Sequence, residues 1–118
     1  MKKVYFLSSC STCQRIIKDL QLQDRGFVFQ DIKTEKISPT QLDELKKMCG
    51  TYEALFSRVA LKYKTLAVKP NSEKEYRSLI LEEYTFLKRP VIICNDRCFV
   101  GNQKTTVAAA ESYLKSLD

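Results

Sequence analysis

The feature that most constrains this chain is the placement of two cysteines at a change of period. Val4-Tyr5-Phe6-Leu7 is a short apolar, strand-like run, and Cys10-Ser11-Thr12-Cys13 follows it directly. Beyond lies a stripe at helical spacing, Cys13, Ile16, Ile17 and Leu20. Cys10 therefore falls at a helix N-terminus, where unpaired backbone N–H groups and the helix dipole favour an anion over a neutral thiol. Such placement lowers a cysteine pKa from about 8.5 into the range of roughly 3.5 to 7.5. Cys13, in line with the apolar stripe, is expected to be half-buried behind it. One sulfur at the tip and one behind it form the arrangement of a nucleophilic and a resolving thiol. By spacing alone the pair also fits half of a zinc site, or two small hydrophobes.

Zinc needs about four ligands. The sequence has no histidine, and its other cysteines, Cys49, Cys94 and Cys98, make no second pair at two-residue separation. No metal and no other cofactor is expected. The 118 residues suit one domain with one core, and 44% hydrophobic with 29% charged residues is a globular mixture. Five cysteines and no signal-like start predict a reducing, cytoplasmic setting. No apolar stretch approaches the roughly 20 residues of a membrane span. The net charge of +6 favours acidic partners or an oxyanion. The lysines are dispersed, and no aromatic ladder accompanies them, so direct nucleic-acid binding is not expected.

Along the chain, the first helix is expected over about residues 11–25, with Gly26 as its stop. Phe27–Ile32 reads as a second strand, completing a parallel β-α-β unit. Ser38-Pro39-Thr40-Gln41 is a helix start with a capping box and proline at the first position, and that helix ends at Cys49-Gly50. Thr51 starts a short helix through Phe56, and Ser72 another with Glu75 in the capping-box position. The whole stretch from about 38 to 88 is expected to be helical. Val91–Cys94 and Cys98–Val100 then pair around a turn at Asn95-Asp96-Arg97, and a last helix covers about 105–117. The order β-α-β, helices, β-β-α predicts a thioredoxin-like α/β fold. Residues 1–118 form a single domain around a mixed four-stranded sheet, with a helical insertion at about 38–88.

Four segments in this order resemble the arsenate reductase-like (ArsC/Spx) family of thioredoxin-fold proteins, over nearly the full length. They are Tyr5–Gln14 with its Cys-x-x-Cys, Gly50–Arg58, Tyr63–Leu66, and Phe86-Leu87-Lys88-Arg89-Pro90-Val91-Ile92 leading to Val100-Gly101. The resemblance implies a cis peptide bond at Pro90 and an Arg89 side chain directed at Cys10, there to hold an oxyanion or stabilise the thiolate. Arg58 would add a second positive arm, and Ser11, Thr12 and Pro90 complete the implied anion-binding set. Cys10, Cys13 and Arg89 are the implied catalytic residues.

Two departures bear on substrate. Phe6 stands where related arsenate reductases carry a histidine four residues before the cysteine, and Val100-Gly101-Asn102 stands where they place a third arginine. A missing cation removes a charge-assisted contact of about 1.5 to 3 kcal/mol from a bound dianion. The resemblance thus implies a thiol-dependent redox protein. It would reduce a disulfide or an oxyanion, arsenate among them, and be recycled by glutaredoxin, thioredoxin or glutathione. The alternative it implies is an Spx-like, redox-sensing regulator that binds the α subunit of RNA polymerase.

Overall fold

The computed structural model describes residues 1–118. Their elements run β1 (Lys2–Phe6), α1 (Ser11–Asp19), β2 (Val28–Asp31), α2 (Pro39–Cys49), α3 (Tyr52–Leu55), α4 (Leu61–Lys64), α5 (Glu73–Glu82), β3 (Val91–Cys94), β4 (Arg97–Val100) and α6 (Lys104–Ser116). They form two compact units, one of residues 1–35 and 89–118, the other of residues 36–88.

The first unit holds the four-stranded sheet, in the order β2-β1-β3-β4. β1 and β2 are parallel, while β3 runs antiparallel to both β1 and β4. A β-α-β unit beside a hairpin and its covering helix is the thioredoxin-like fold, with the mixed sheet that the sequence predicts. Register explains how the core assembles. Phe29, Val4, Ile92 and Phe99 are partners across all four strands and so share one face. Ile16 and Ile17 of α1, Leu20 at its C-cap, and Ala110 and Leu114 of α6 close over that row. β3 is buried at every position.

The second unit supplies the helices of the middle segment. Ser38 caps α2 in a complete capping box with Gln41, with Pro39 at the first position. Gly50 ends it at φ +101°, a value glycine tolerates because it lacks a Cβ. Thr51 accepts from the Ala54 N–H at the start of α3, and Glu73 accepts from the Tyr52 and Glu53 N–H groups. At the core, Phe56 has no exposure and packs against Tyr63, Tyr76 and Phe86, with ring centroids at 5.9, 5.0 and 5.1 Å. Asp43 of α2 accepts two bonds from Arg77 of α5, at 2.8 and 3.2 Å, and one from the Tyr52 hydroxyl.

Several expected boundaries are corrected. The first helix stops at Asp19 rather than near Arg25, because the next turn of its stripe would require apolar residues where Gln23 and Asp24 stand. Gln21 turns the chain through φ +55°, and a 3₁₀ turn at Leu22–Asp24 buries the off-stripe Leu22. The middle segment is not wholly helical. The α3, α4 and α5 helices are separated by extended and looped chain, and Phe56 bridges antiparallel to Leu87. The one-turn α4 helix falls within the stretch expected to be helical but is not singled out by the sequence as an element of its own. At the start of α5, the Glu75 side chain accepts from the Ser72 hydroxyl and the Asn71 N–H but not from the Ser72 N–H, so the second box is incomplete. The hairpin turn has two residues, not three: Asn95 takes φ +58°, and Arg97 already pairs with Cys94. That register pairs Cys98 with Ile93, which puts Cys94 and Cys98 on opposite faces. A disulfide across the hairpin is thereby excluded, and none of the five cysteines is in a disulfide.

Replacement of Phe56 by Ala is expected to destabilise the fold by about 3 to 5 kcal/mol in urea unfolding, since the ring is fully enclosed. The bonds from Arg77 and then Tyr52 hold the Asp43 carboxyl at about 2, below the roughly 3.9 of an unfolded chain. Their contribution is therefore complete above about pH 4 and is lost as pH falls towards 2. The stability gap between wild type and Asp43→Asn, measured by urea unfolding, should be widest near neutrality and close by pH 2.

Candidate active site

Cys10 is the N-cap of α1. Its backbone is extended (φ −92°, ψ 109°), and its carbonyl accepts the first helical bond, from the Gln14 N–H at 3.1 Å. Its Sγ accepts from the Cys13 N–H at 3.4 Å, the place a serine or aspartate oxygen takes in an ordinary cap. The Cys10 N–H in turn donates to the Leu7 carbonyl at 3.0 Å, closing the turn that leads out of β1. Ser11 is exposed and Thr12 half-buried at the opening of the helix.

Electrostatics separates the two sulfurs. Burial works against charge on Cys10. It is outweighed by hydrogen bonds from the Cys13 backbone and side chain, by the Thr12 N–H and by the charge of Arg89, so the Cys10 thiol titrates below its ordinary value. Cys13 is fully buried. Burial, reinforced by its hydrogen bond to the Cys10 sulfur and by that sulfur's charge, pushes it up to about 12 against the opposing Leu7 backbone and Arg89. The two sulfurs are thus shifted in opposite directions, Cys10 towards the thiolate and Cys13 towards the thiol. Burial of Cys13 is complete where the sequence suggested half.

Arg89 is partly buried at the entry to β3, and its peptide bond to Pro90 is cis. Gly101 donates to the Pro90 carbonyl at 2.9 Å, fixing this entry against the end of β4. The structure thus brings Arg89 within electrostatic reach of both cysteines. Arg58 lies in the helical unit. Its guanidinium bonds Glu53 at 2.8 Å and the Tyr76 hydroxyl at 2.7 Å, and the Glu53 carboxylate raises its pKa further. Phe6, four residues before Cys10, packs edge-on against Phe29 at 5.9 Å. No three Cys, Asp or Glu side chains come together as a metal-binding group.

Two polar residues at the site had no signal in the sequence. Gln14 Nε2 donates to the Ser8 carbonyl at 3.1 Å, and Asp31 Oδ1 accepts from the Ser8 N–H at 3.4 Å. Nothing in a linear pattern marks Asp31 as the neighbour of a residue 23 positions earlier; only the register of β1 against β2 does so.

The sequence profile of the ArsC family matches residues 5–110. The chain belongs to the ArsC family. Solved structures place the same fold on this ArsC chain. An arsenate reductase from Vibrio cholerae is similar at 19% identity and TM-score 0.75, over 92% of this chain and 95% of its own. An arsenate reductase (ArsC) related protein from Brucella melitensis is similar at 24% identity and TM-score 0.68, over 97% and 94%. A comparison with curated proteins finds no match. Family and fold together make this ArsC chain a member of a thiol-dependent redox family. No helix is long and apolar enough to cross a membrane.

Mass-spectrometric mapping of alkylation against pH should show Cys10 reacting at a midpoint below that of an ordinary thiol, with Cys13 unmodified through the neutral range. Arg89→Ala should move the Cys10 midpoint upward, and by less than loss of the cap bonds would. An unchanged midpoint would leave Arg89 with no part in the thiolate.

Proposed function

We propose that the protein is a thiol reductase in which Cys10 is the nucleophile and Cys13 the resolving thiol. The observation that carries this reading is the pairing of a stabilised Cys10 sulfur at a helix cap with a buried, protonated Cys13 hydrogen-bonded to it. The Cys10 thiolate attacks one sulfur of a substrate disulfide, forming a mixed disulfide and releasing the other sulfur as a thiolate. The negative charge on Cys10 is then gone, and so are the acceptor and the repulsion that helped to hold the proton on Cys13. Burial still disfavours the anion, but the released thiolate can take that proton. Cys13 then attacks the Cys10 sulfur, freeing the second half of the substrate and leaving a Cys10–Cys13 disulfide. An external dithiol of the glutaredoxin or thioredoxin class, or two molecules of glutathione, returns the pair to thiols. The guanidinium of Arg89 favours the thiolate at both ends of the cycle, and Ser11 and Thr12 present the N–H groups of the first turn to an incoming anion. Pro90 is buried and joined to Arg89 by the cis bond. Arg58 is assigned no step.

A disulfide suits this site better than arsenate. The apolar contact of Phe6 with Phe29 and the uncharged Val100-Gly101-Asn102 segment leave a tetrahedral dianion without two groups that would bind it or supply a proton. The same observation leaves room for the Spx-like regulatory reading. In that reading the Cys10–Cys13 disulfide alters the charge near Arg89 and thereby an interface with the α subunit of RNA polymerase. Capture of that subunit that depends on the redox state would favour the regulator, and steady thiol turnover without capture the enzyme.

In a coupled disulfide-reduction assay, Cys10→Ser should abolish turnover. Cys13→Ser should permit the first attack and accumulate a mixed disulfide on Cys10, visible as a mass adduct. If Cys13→Ser alone removes the fast-reacting thiol, the two roles are reversed.

A further inference from the structure

Ser8 is the residue through which the chain passes from β1 towards the Cys10 cap, and it is gripped from two sides. On one side its N–H donates to Asp31 Oδ1 at 3.4 Å, and its side chain also hydrogen-bonds that carboxylate. On the other its carbonyl accepts from Gln14 Nε2 at 3.1 Å. Both partners are themselves anchored. Asp31 ends β2 opposite Phe6; its Oδ1 accepts from the Lys33 N–H at 3.1 Å and its carbonyl from Glu35 at 2.8 Å, while the adjacent Ile32 N–H bonds the Phe6 carbonyl at 2.9 Å. Gln14 sits on the exposed side of α1, whose opposite side is locked into the core by Ile16 and Ile17.

We propose that Asp31 and Gln14 are positioning residues which, by holding Ser8 between β2 and α1, set Cys10 Sγ over the N–H groups that begin α1. This rests on the thiolate role given to Cys10 above. Neither residue bonds the sulfur. Each fixes the backbone two positions before Cys10, and the Leu7–Cys10 turn transmits that constraint to the cap. An N–H to sulfur bond at 3.4 Å weakens with small changes in the Cys10 backbone, and the Thr12 N–H depends on the same placement. The ionised Asp31 carboxylate lies on the side of the loop, and its own negative charge opposes a thiolate. Its benefit must therefore come from its geometry as an acceptor and not from its charge.

That opposition of signs makes the inference testable by the Cys10 alkylation profile against pH. Asp31→Ala and Gln14→Ala should each raise the Cys10 midpoint by about half a unit to one unit, the size of one lost hydrogen bond. Asp31→Asn retains Oδ1 as an acceptor and should restore the wild-type midpoint or lower it slightly. If Asp31→Ala and Asp31→Asn lower the midpoint together, Asp31 acts only as a charge and the inference is overturned. It is equally overturned if neither Ala variant moves the midpoint. Should Asp31→Ala fail to fold, Gln14→Ala decides the matter, since alanine favours the helix and the change removes no charge. A wild-type Cys10 that titrates as an ordinary thiol would instead overturn the thiolate reading, and wild type alone would show it.

Discussion

One hydrogen bond, from the Cys13 N–H to the Cys10 sulfur, ties the two cysteines together at the start of α1. It exists because a cysteine occupies the cap of α1, where oxygen-bearing side chains are usual, and because the helix begins at the very next residue. The same bond fixes the second cysteine. With Cys10 at the cap, Cys13 falls one turn on and points into the core with Ile16 and Ile17. A single backbone geometry therefore gives one sulfur a reason to lose its proton and the other a reason to keep it. The sheet holds that geometry in place, with β1 paired on both sides and its Phe29–Val4–Ile92–Phe99 row covered by α1 and α6.

The difference between the sulfurs also carries the order of events proposed for them. Burial alone would keep Cys13 inert, but part of what holds its proton is Cys10 itself, as acceptor and as charge. Any adduct on Cys10 removes that part, so the resolving thiol is released by the step that makes it necessary. Arg89 acts on both sulfurs in the direction of the thiolate, which suits a cation that serves each half of such a cycle. The apolar setting of Phe6 works in the other direction for a tetrahedral dianion, where the sequence already lacks a third cation.

Local order was largely legible in the residues. The Ser38-Pro39-Thr40-Gln41 start, the Thr51 cap, the Gly50 stop and the parallel β-α-β unit rest on interactions among neighbours, or on one side chain's steric limits, and they stand as expected. The errors occur where distant burial decided against local propensity. Leu22 drew the chain out of α1, Phe56 and Leu87 paired across 31 residues of what was expected to be helix, and the sign of φ at Asn95 shortened the hairpin turn. Arg58 illustrates the same limit at the level of function. A motif supplies the cation, but its partners Glu53 and Tyr76 are set by the packing of the helical unit.

The sequence by itself determined the family, through four motif segments in order, and the fold class and the two sulfurs, through spacing: a period of two giving way to a period of 3.6 with a cysteine at the change. Tertiary structure alone decided the faces and the grips. It put Cys94 and Cys98 on opposite sides of a hairpin, enclosed Cys13 completely, and brought Asp31 of β2 to the loop before Cys10. The physical reason is that a linear pattern records which side chains seek burial, whereas register and packing fix which polar groups meet once burial is achieved.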